Sequence, residues 1–351
     1  MAIGFRFRNM KARKGYCKDP NCMPPSSFNK ERGENVKTTI RQLPTASVPM
    51  AAVSKKKMTS KIKQGLVIGG FLAPALLIYG IFVLYSIVMT FYYSLFDWSG
   101  IDNSFEFIGL QNYIELLRDE VFWASLKNNS LLVFSSLLTQ LPLGLIMALL
   151  LFSPIKGMRF FRSVYFMPFL MSTVAIGILF TFMYDGNFGI VNRILGLLGL
   201  ESLQRAWLGD EDTAIWAVIA TICWQYAPFY MVLFRAAIVG IPEELYEAAM
   251  IDGANSRQRF FKITLPLLMP TIVTSSILSI IGSLKYFDLI YVMTGGGPNN
   301  STELMATYMY EETFTNFNMG YGSSISFSMF LIAFVITVII VFSEQKRKGG
   351  S

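Results

Sequence analysis

The sequence predicts an all-α integral membrane protein with six membrane-spanning helices and a structured cytoplasmic loop between the fourth and the fifth. Three observations predict it. Of the 351 residues 53% are hydrophobic and only 15% are charged, against about 25% charged in ordinary soluble domains. Six stretches of 22 residues or more contain no Asp, Glu, Lys or Arg, and no other such stretch exceeds 14. The basic residues are distributed so that both ends of the chain fall on one side of a bilayer.

The charge-free stretches are 64–96, 128–155, 163–184, 213–234, 263–284 and 313–343. A helix needs about 20 mostly apolar residues to cross the hydrocarbon layer. The spans are therefore expected at about 66–92, 128–152, 163–184, 213–235, 267–292 and 321–343. Buried helices of a soluble protein would carry charges along their outer face, and these stretches carry none.

Residues 1–63 hold 15 Lys or Arg against 3 Asp or Glu, whereas residues 64–351 hold 15 against 20. The segment is polar, with Pro24, Pro25, Pro44 and Pro49, and lacks the apolar pattern of a folding unit. It reads either as a disordered cytoplasmic tail or as the product of a misplaced start, with Met50 or Met58 the true first residue. Its charge beside a span points to the membrane, not to nucleic acid. The loop 97–127 has two basic and six acidic residues, while 156–162 has Lys156, Arg159 and Arg162 and no acid. The loop 185–212 and the segment 288–312 are acidic, and the tail 344–351 is again basic. Basic residues favour the cytoplasmic side, so both termini are expected there, as an even number of spans requires.

There is no His, and Cys17, Cys22 and Cys223 have no spacing that completes a zinc site. Cys17 and Cys22 read as free thiols and Cys223 as core packing. The commonest general base is missing, and no G-x-x-x-x-G-K-[ST] loop is present. Gly295–Gly297 is glycine-rich but is followed by Pro298 and Asn299, with no Lys to reach a phosphate. The chain is not expected to be an enzyme or to bind a metal or cofactor of its own.

The connection 241–266 is the most informative segment. Pro242 suits the first position of a helix, and Glu243 and Glu244 suit its positive end. Leu245, Ala248 and Ala249 fall on one face. Gly253 is a natural stop, and Asn255 or Ser256 can cap a second short helix through Phe260, Phe261 and Ile263. Pro266 marks entry to the fifth span. Small Ala side chains admit a partner's backbone, and Phe260 and Phe261 can anchor in a partner's pocket. Four bases against four acids over 235–262 argue against a helix lying on the membrane, because such helices are strongly basic.

Glu247-Ala248-Ala249, Asp252-Gly253-Ala254 and Ile263-Thr264-Leu265-Pro266 resemble the EAA motif of binding-protein-dependent ABC importer permeases. Phe107-Ile108-Gly109-Leu110-Gln111-Asn112-Tyr113 is similar to a motif of sugar permeases after their first span. Phe161 to Pro168 resembles their third-span entry, and Met293 to Pro298 with Thr302 their motif after the fifth span. Together the matches cover roughly residues 66–343 and are most similar to the maltose and glycerol-3-phosphate carbohydrate group, the MalF/UgpA-like branch. The resemblance implies a type I ABC importer permease fold, with 241–266 docking into a cleft of the ATPase. It implies an ABC ATPase dimer that holds ATP and magnesium, a second, homologous permease subunit and an extracellular solute-binding protein. It implies residence in a bacterial inner membrane and transport by alternating access.

Candidate pathway residues are Lys285 and Asp288, three apart and able to pair on one helix face, with Tyr286 and Phe287 between them. Trp224, Gln225, Tyr226, Pro228 and Tyr230 form a second, polar-aromatic group in the fourth span, and Met167-Pro168 has the same ambiguity between pathway and packing. Aromatic faces beside polar groups suit sugars. A single prominent cation favours an uncharged carbohydrate. The alternative is a secondary transporter driven by an ion gradient, whose class often shows internal repeats; none is evident between the two halves.

Overall fold

The computed structural model describes residues 54–101, 105–151 and 158–349. Residues 1–53, most of the predicted tail, lie outside them. Its last part, 54–63, is helical; Lys and Met are good helix formers and extend a helix already nucleated by the span. Residues up to Ile78 form one unit, built on helix α1 (Ser54–Tyr79). From Val67 to Ile78 every side chain is exposed and none is polar. Such a surface suits lipid or an apolar partner and not water.

The second unit runs from Tyr79. Its helices are α2 (Ser86–Tyr93), α3 (Gln111–Leu116), α4 (Glu120–Leu150), α5 (Met158–Leu170), α6 (Thr173–Met183), α7 (Ile190–Leu197), α8 (Glu211–Val239), α9 (Glu243–Ile251), α10 (Ser256–Arg259), α11 (Leu265–Leu284), α12 (Asp288–Met293), α13 (Met305–Tyr310) and α14 (Met319–Gly349). Strands β1 (Phe96–Asp97) and β2 (Glu106–Phe107) pair antiparallel, Phe96 opposite Phe107.

Among the described residues five helical stretches are long and apolar enough to cross a bilayer: Val67–Tyr93, Glu120–Leu150, Glu211–Val239, Ser256–Met293 and Met319–Ser343. The sixth is a pair, Phe160–Leu170 and Thr173–Met183, bent by 93°. The third span, predicted as one helix, is thus two half-helices. Pro168 has no N–H to give to the carbonyl four residues earlier. Ser172 then leaves the helix at φ −59°, ψ 130°, and its carbonyl accepts the first bond of α6 from the Ile176 N–H at 3.0 Å.

Helix α8 is the centre of the unit. Two-thirds of its most apolar window is buried (67%), against 6% for α14. It packs against α4 at Gly144, where a Cβ would lie 2.8 Å from the Tyr230 Cβ and 3.0 Å from the Met231 backbone N. A glycine lets the two backbones approach, a packing mode favoured where lipid supplies no hydrophobic drive. One apolar cluster joins α4, α6, α8 and α12 through Leu132, Ile176, Ile219, Ile222, Leu289 and Ile290. Another joins α4, α8 and α11 through Leu141, Tyr230, Met231, Phe234 and Leu268. The α4–α11 contact also carries polar glue: the Ser283 hydroxyl lies 3.2 Å from the Ser136 hydroxyl, which takes a 3.1 Å bond from the Gln140 amide.

Asparagines fasten the connections on the side opposite α9. The Asn112 amide donates to the Ser94 and Phe96 carbonyls at 2.9 and 3.0 Å, and the Tyr113 and Ser94 hydroxyls are bonded at 2.7 Å. Gly109 adopts φ +60° just before them. The 107–113 motif is therefore a clamp that ties α3 to the end of α2. The Asn128 amide holds the carbonyls of Ser301 and Glu303, at 3.1 and 3.0 Å. The Asp119 carboxylate caps α4 through the Val121 N–H and accepts the hydroxyls of Tyr308 and Tyr321.

Candidate functional site

Two places combine the sequence-predicted residues. The first is the connection after α8. Helix α9 ends in a paired C-cap: the Ala254 N–H reaches the Ala249 carbonyl at 2.9 Å and the Gly253 N–H the Met250 carbonyl at 3.1 Å, with Gly253 at φ +77°. Left-handed backbone at this position is the normal helix stop and favours glycine. Of the two proposed caps for the next helix the structure selects Asn255, which exchanges bonds with Gln258 at 2.9 and 2.8 Å. The second short helix, α10, does not stop before the span. From Ser256 the chain runs through a π turn, Phe260–Thr264, into α11. Pro266 cannot donate to the Lys262 carbonyl, and the wider turn accommodates that loss.

The Tyr246 and Thr264 hydroxyls are bonded at 2.9 Å and pin α9 to this turn. Between them lies an open cleft of about 340 Å³, walled by Ala249, Asp252, Gly253 and Ala254 on one side and Gln258, Lys262 and Ile263 on the other. Of the predicted face, Ala249 lines the cleft, while Leu245 and Ala248 point outward, as Glu247 does. Ile251 is 87% exposed and Phe261 53%, with the Arg257 guanidinium over the Phe261 ring. Phe260 is half-buried against Phe261. Leu265 is half-buried and Pro266 exposed, both in the first turn of α11.

The second place is the break in the third span. Three consecutive residues of α8 meet its two halves. Trp224 packs on Phe180 of α6 with centroids 5.1 Å apart. The Gln225 amide N lies 3.4 Å from the Thr173 hydroxyl at the start of α6. Tyr226 packs edge-on to Phe169 of α5 and to Tyr286. Gln225 is 2% exposed, and its Oε1 has no hydrogen-bond partner among the described residues. A buried amide oxygen without a donor costs free energy.

The predicted pairing of Lys285 with Asp288 does not form. Helix α11 ends at Leu284, Lys285 sits at φ −103°, and Asp288 starts α12, so the three-residue spacing no longer stacks the two. Both are exposed, and among the described residues the one ion pair is Arg205–Asp210 at 3.8 Å. The interruption turns Phe287 to stack on Tyr291 at 4.9 Å, with Tyr310 5.2 Å away. Among the described residues no group of three Cys, Asp or Glu side chains is close enough to hold a metal ion.

The loop after α12 holds a feature that charge counting missed. Glu303 is 2% exposed and its Oε1 has no hydrogen-bond partner among the described residues. Burial pushes its carboxyl up to about 7 from the ordinary 4.5. Its carboxylate occupies the space that a Cβ on Gly296 would need, which explains the glycine at φ +88°. Because the folded state holds the proton more tightly, stability is full below pH 4.5 and falls as the pH rises towards 7. At 1.36 kcal/mol per unit the loss is roughly 3 kcal/mol. Glu303→Gln is expected to remove this dependence. Its thermal midpoint in nanodiscs exceeds that of the wild type at pH 8 by clearly more than at pH 5. Parallel pH curves for the two proteins would refute the assignment.

Residues 140–348 match the model of the family described as binding-protein-dependent transport system inner membrane component. A probable ABC transporter permease protein of Pyrococcus horikoshii is 38% identical over 276 residues, which cover 79% of this chain and 94% of that protein. The trehalose/maltose transport system permease protein MalF of Thermococcus litoralis is 34% identical, over 83% of this chain and 97% of its own. The multiple sugar-binding transport system permease protein MsmF of Streptococcus mutans is 32% identical, over 79% and 94%. Among solved structures, a bacterial ABC transporter involved in the import of the acidic polysaccharide alginate contains a similar chain. It is 22% identical, with a TM-score of 0.71 over 83% of this chain and 99% of that one.

Proposed function

The chain belongs to the family of binding-protein-dependent transport system inner membrane components, and on that premise we propose that it carries a carbohydrate from an extracellular binding protein across a bacterial inner membrane. It is a multi-pass, non-catalytic permease subunit of an ABC importer, a system that includes an ATPase and a solute-binding protein. ATP and magnesium are held by the ATPase dimer, which grips the loop 241–266, with Ala249 and Gly253 at the cleft and Glu247, Ile251 and Phe261 on its rim. A second, homologous permease supplies the other half of the pathway. Both termini are cytoplasmic.

One observation carries the pathway assignment. Met171 and Ser172 are non-helical, exposed, and in the middle of a span. Irregular backbone at membrane depth persists only where it is buried in protein or lines a polar cavity, and broken helices at that depth mark transport sites. The break sits beside the unpaired Gln225 oxygen and the rings of Tyr226 and Tyr286. An oxygen acceptor among aromatic faces fits the hydroxyls and apolar faces of a sugar. The MalF and MsmF relatives, whose names specify trehalose/maltose and multiple sugars, support the same class.

The test is uptake of labelled mono- and oligosaccharides into proteoliposomes carrying the full complex and its binding protein. Gln225→Leu is expected to lower uptake about tenfold, the value of one hydrogen bond of roughly 1.4 kcal/mol, with subunit assembly unchanged. Uptake that continues without ATP and follows an ion gradient would instead establish a secondary transporter. Wild-type uptake by the variant would remove Gln225 from the pathway.

A further inference from the structure

Between α6 and α8 the chain makes a hairpin of 27 residues, 184–210, that the transport mechanism does not use. Its inner side is held by one buried side chain. The Asn192 amide donates to the Gly186 and Arg205 carbonyls at 2.9 and 2.8 Å, and its Oδ1 accepts the Trp207 indole N–H at 2.8 Å. Gly186 closes the base against Ala206, where a Cβ would meet the Ala206 Cβ at 3.4 Å. The hairpin therefore has its own fixed shape, and α7 has a defined outer face.

That face is apolar and uncovered. Phe188 is 89% exposed, Leu197 85% and Leu198 66%, with Ile190 and Ile194 about half exposed. Ile190, Ile194, Leu197 and Leu198 follow the i, i+4, i+7, i+8 spacing that makes one stripe on a helix. Arg193 borders the stripe and is also exposed. Water is a poor neighbour for so continuous an apolar patch.

We propose that this hairpin lies in the outer interface of the bilayer, with the α7 stripe facing acyl chains and Arg193 among the lipid headgroups. The inference rests on the membrane-spanning assignment of 160–183 and 211–239, and the position of the hairpin selects the occupant. It leaves one span at Met183 and enters the next at Glu211, so both of its ends are fixed where spans meet the headgroups. The surface beyond Met293 mixes exposed Asn299, Asn300 and Glu311 with Phe314 and Phe317, and so offers the polar groups that a soluble binding protein requires. Short helices with an apolar stripe and a flanking cation settle at the headgroup boundary, and there the hairpin would fix the tilt of the broken third span.

Fluorescence quenching in nanodiscs tests this with the whole importer. Cys17 and Cys22 are replaced by Ser, and an environment-sensitive dye is attached at Leu197→Cys, at Glu201→Cys, and at Phe182→Cys within the span. The expected result is that the label at 197 is quenched by shallow spin-labelled lipid. It is also several-fold less accessible to iodide than the label at 201, with or without binding protein. Equal iodide quenching at 197 and 201 overturns the proposal, and shielding of 197 only when binding protein is added overturns it in favour of a protein partner. If the label at 182 also escapes lipid quenching, the spanning assignment fails and the inference falls with it. None of these readouts depends on transport, so loss of uptake alone leaves the two proposals separable.

Discussion

Gly253→Val is expected to cut coupled uptake sharply while the chain still enters the membrane. Gly253 has φ +77°, and a Cβ there would meet nothing within 4 Å. The penalty is therefore conformational and not a clash. A β-branched residue in left-handed backbone costs roughly 1–2 kcal/mol, and escape from that conformation breaks the two bonds that close α9, Ala254 to Ala249 and Gly253 to Met250. The turn forms one wall of the cleft beside Ala249 and Lys262, so its loss misaligns the surface proposed to meet the ATPase. The expected fall in uptake is at least about tenfold, each factor of ten being 1.4 kcal/mol. Gly253→Ala is expected to fall between the two. The measurement pairs uptake with recovery of the ATPase on an affinity tag placed on the permease. Normal uptake by the valine variant would show that the turn carries no force.

Much of this loop was legible in the sequence because its signals are local. Paired glutamates, glycine at the stop and a capping Asn each act within a few residues, and the structure honours them; Pro242 stands one place earlier than predicted, at the N-cap of α9 with ψ 132°. The spans were legible for the same reason, since absence of charge is a property of one stretch. What the sequence hid depends on distance. The bend in the third span needs Pro168 and the departure at Ser172 together, and Pro142, Pro228 and Pro270 lie within helices that continue past them. Lys285 and Asp288 are three apart, but the spacing stacks side chains only if the helix persists, and it stops at Leu284. The partners of Asn128 and Asn129 come from up to 176 positions away, which no window of the sequence contains. The 107–113 and 293–302 motifs marked where such fastening occurs without saying what was fastened.

Asn129→Leu is expected to destabilise the folded chain more than any other single change considered above. Asn129 is fully buried in α4. Its amide donates to the Ser283 and Leu284 carbonyls at 3.0 and 3.1 Å, and its Oδ1 accepts the Met305 N–H at 2.8 Å. Ser283 and Leu284 end α11, and Met305 begins α13. Helix ends carry backbone groups with no partner in their own helix, so one side chain closes two helix termini at once. Leucine has a similar volume and none of the polar atoms, which leaves the Leu284 carbonyl and the Met305 N–H unsatisfied at roughly 1–3 kcal/mol each and the Ser283 carbonyl with only the long 3.4 Å bond from the Tyr286 N–H. A net loss of about 4 kcal/mol is expected, seen as a large fall in the thermal midpoint of the complex in nanodiscs. Asn128→Leu gives a smaller fall, because Asn128 is less enclosed and holds only the carbonyls of Ser301 and Glu303. The order of the two variants is the decisive reading. If Asn128→Leu proves the more damaging, the loop after α12 and not the α11–α13 junction is what α4 holds in place.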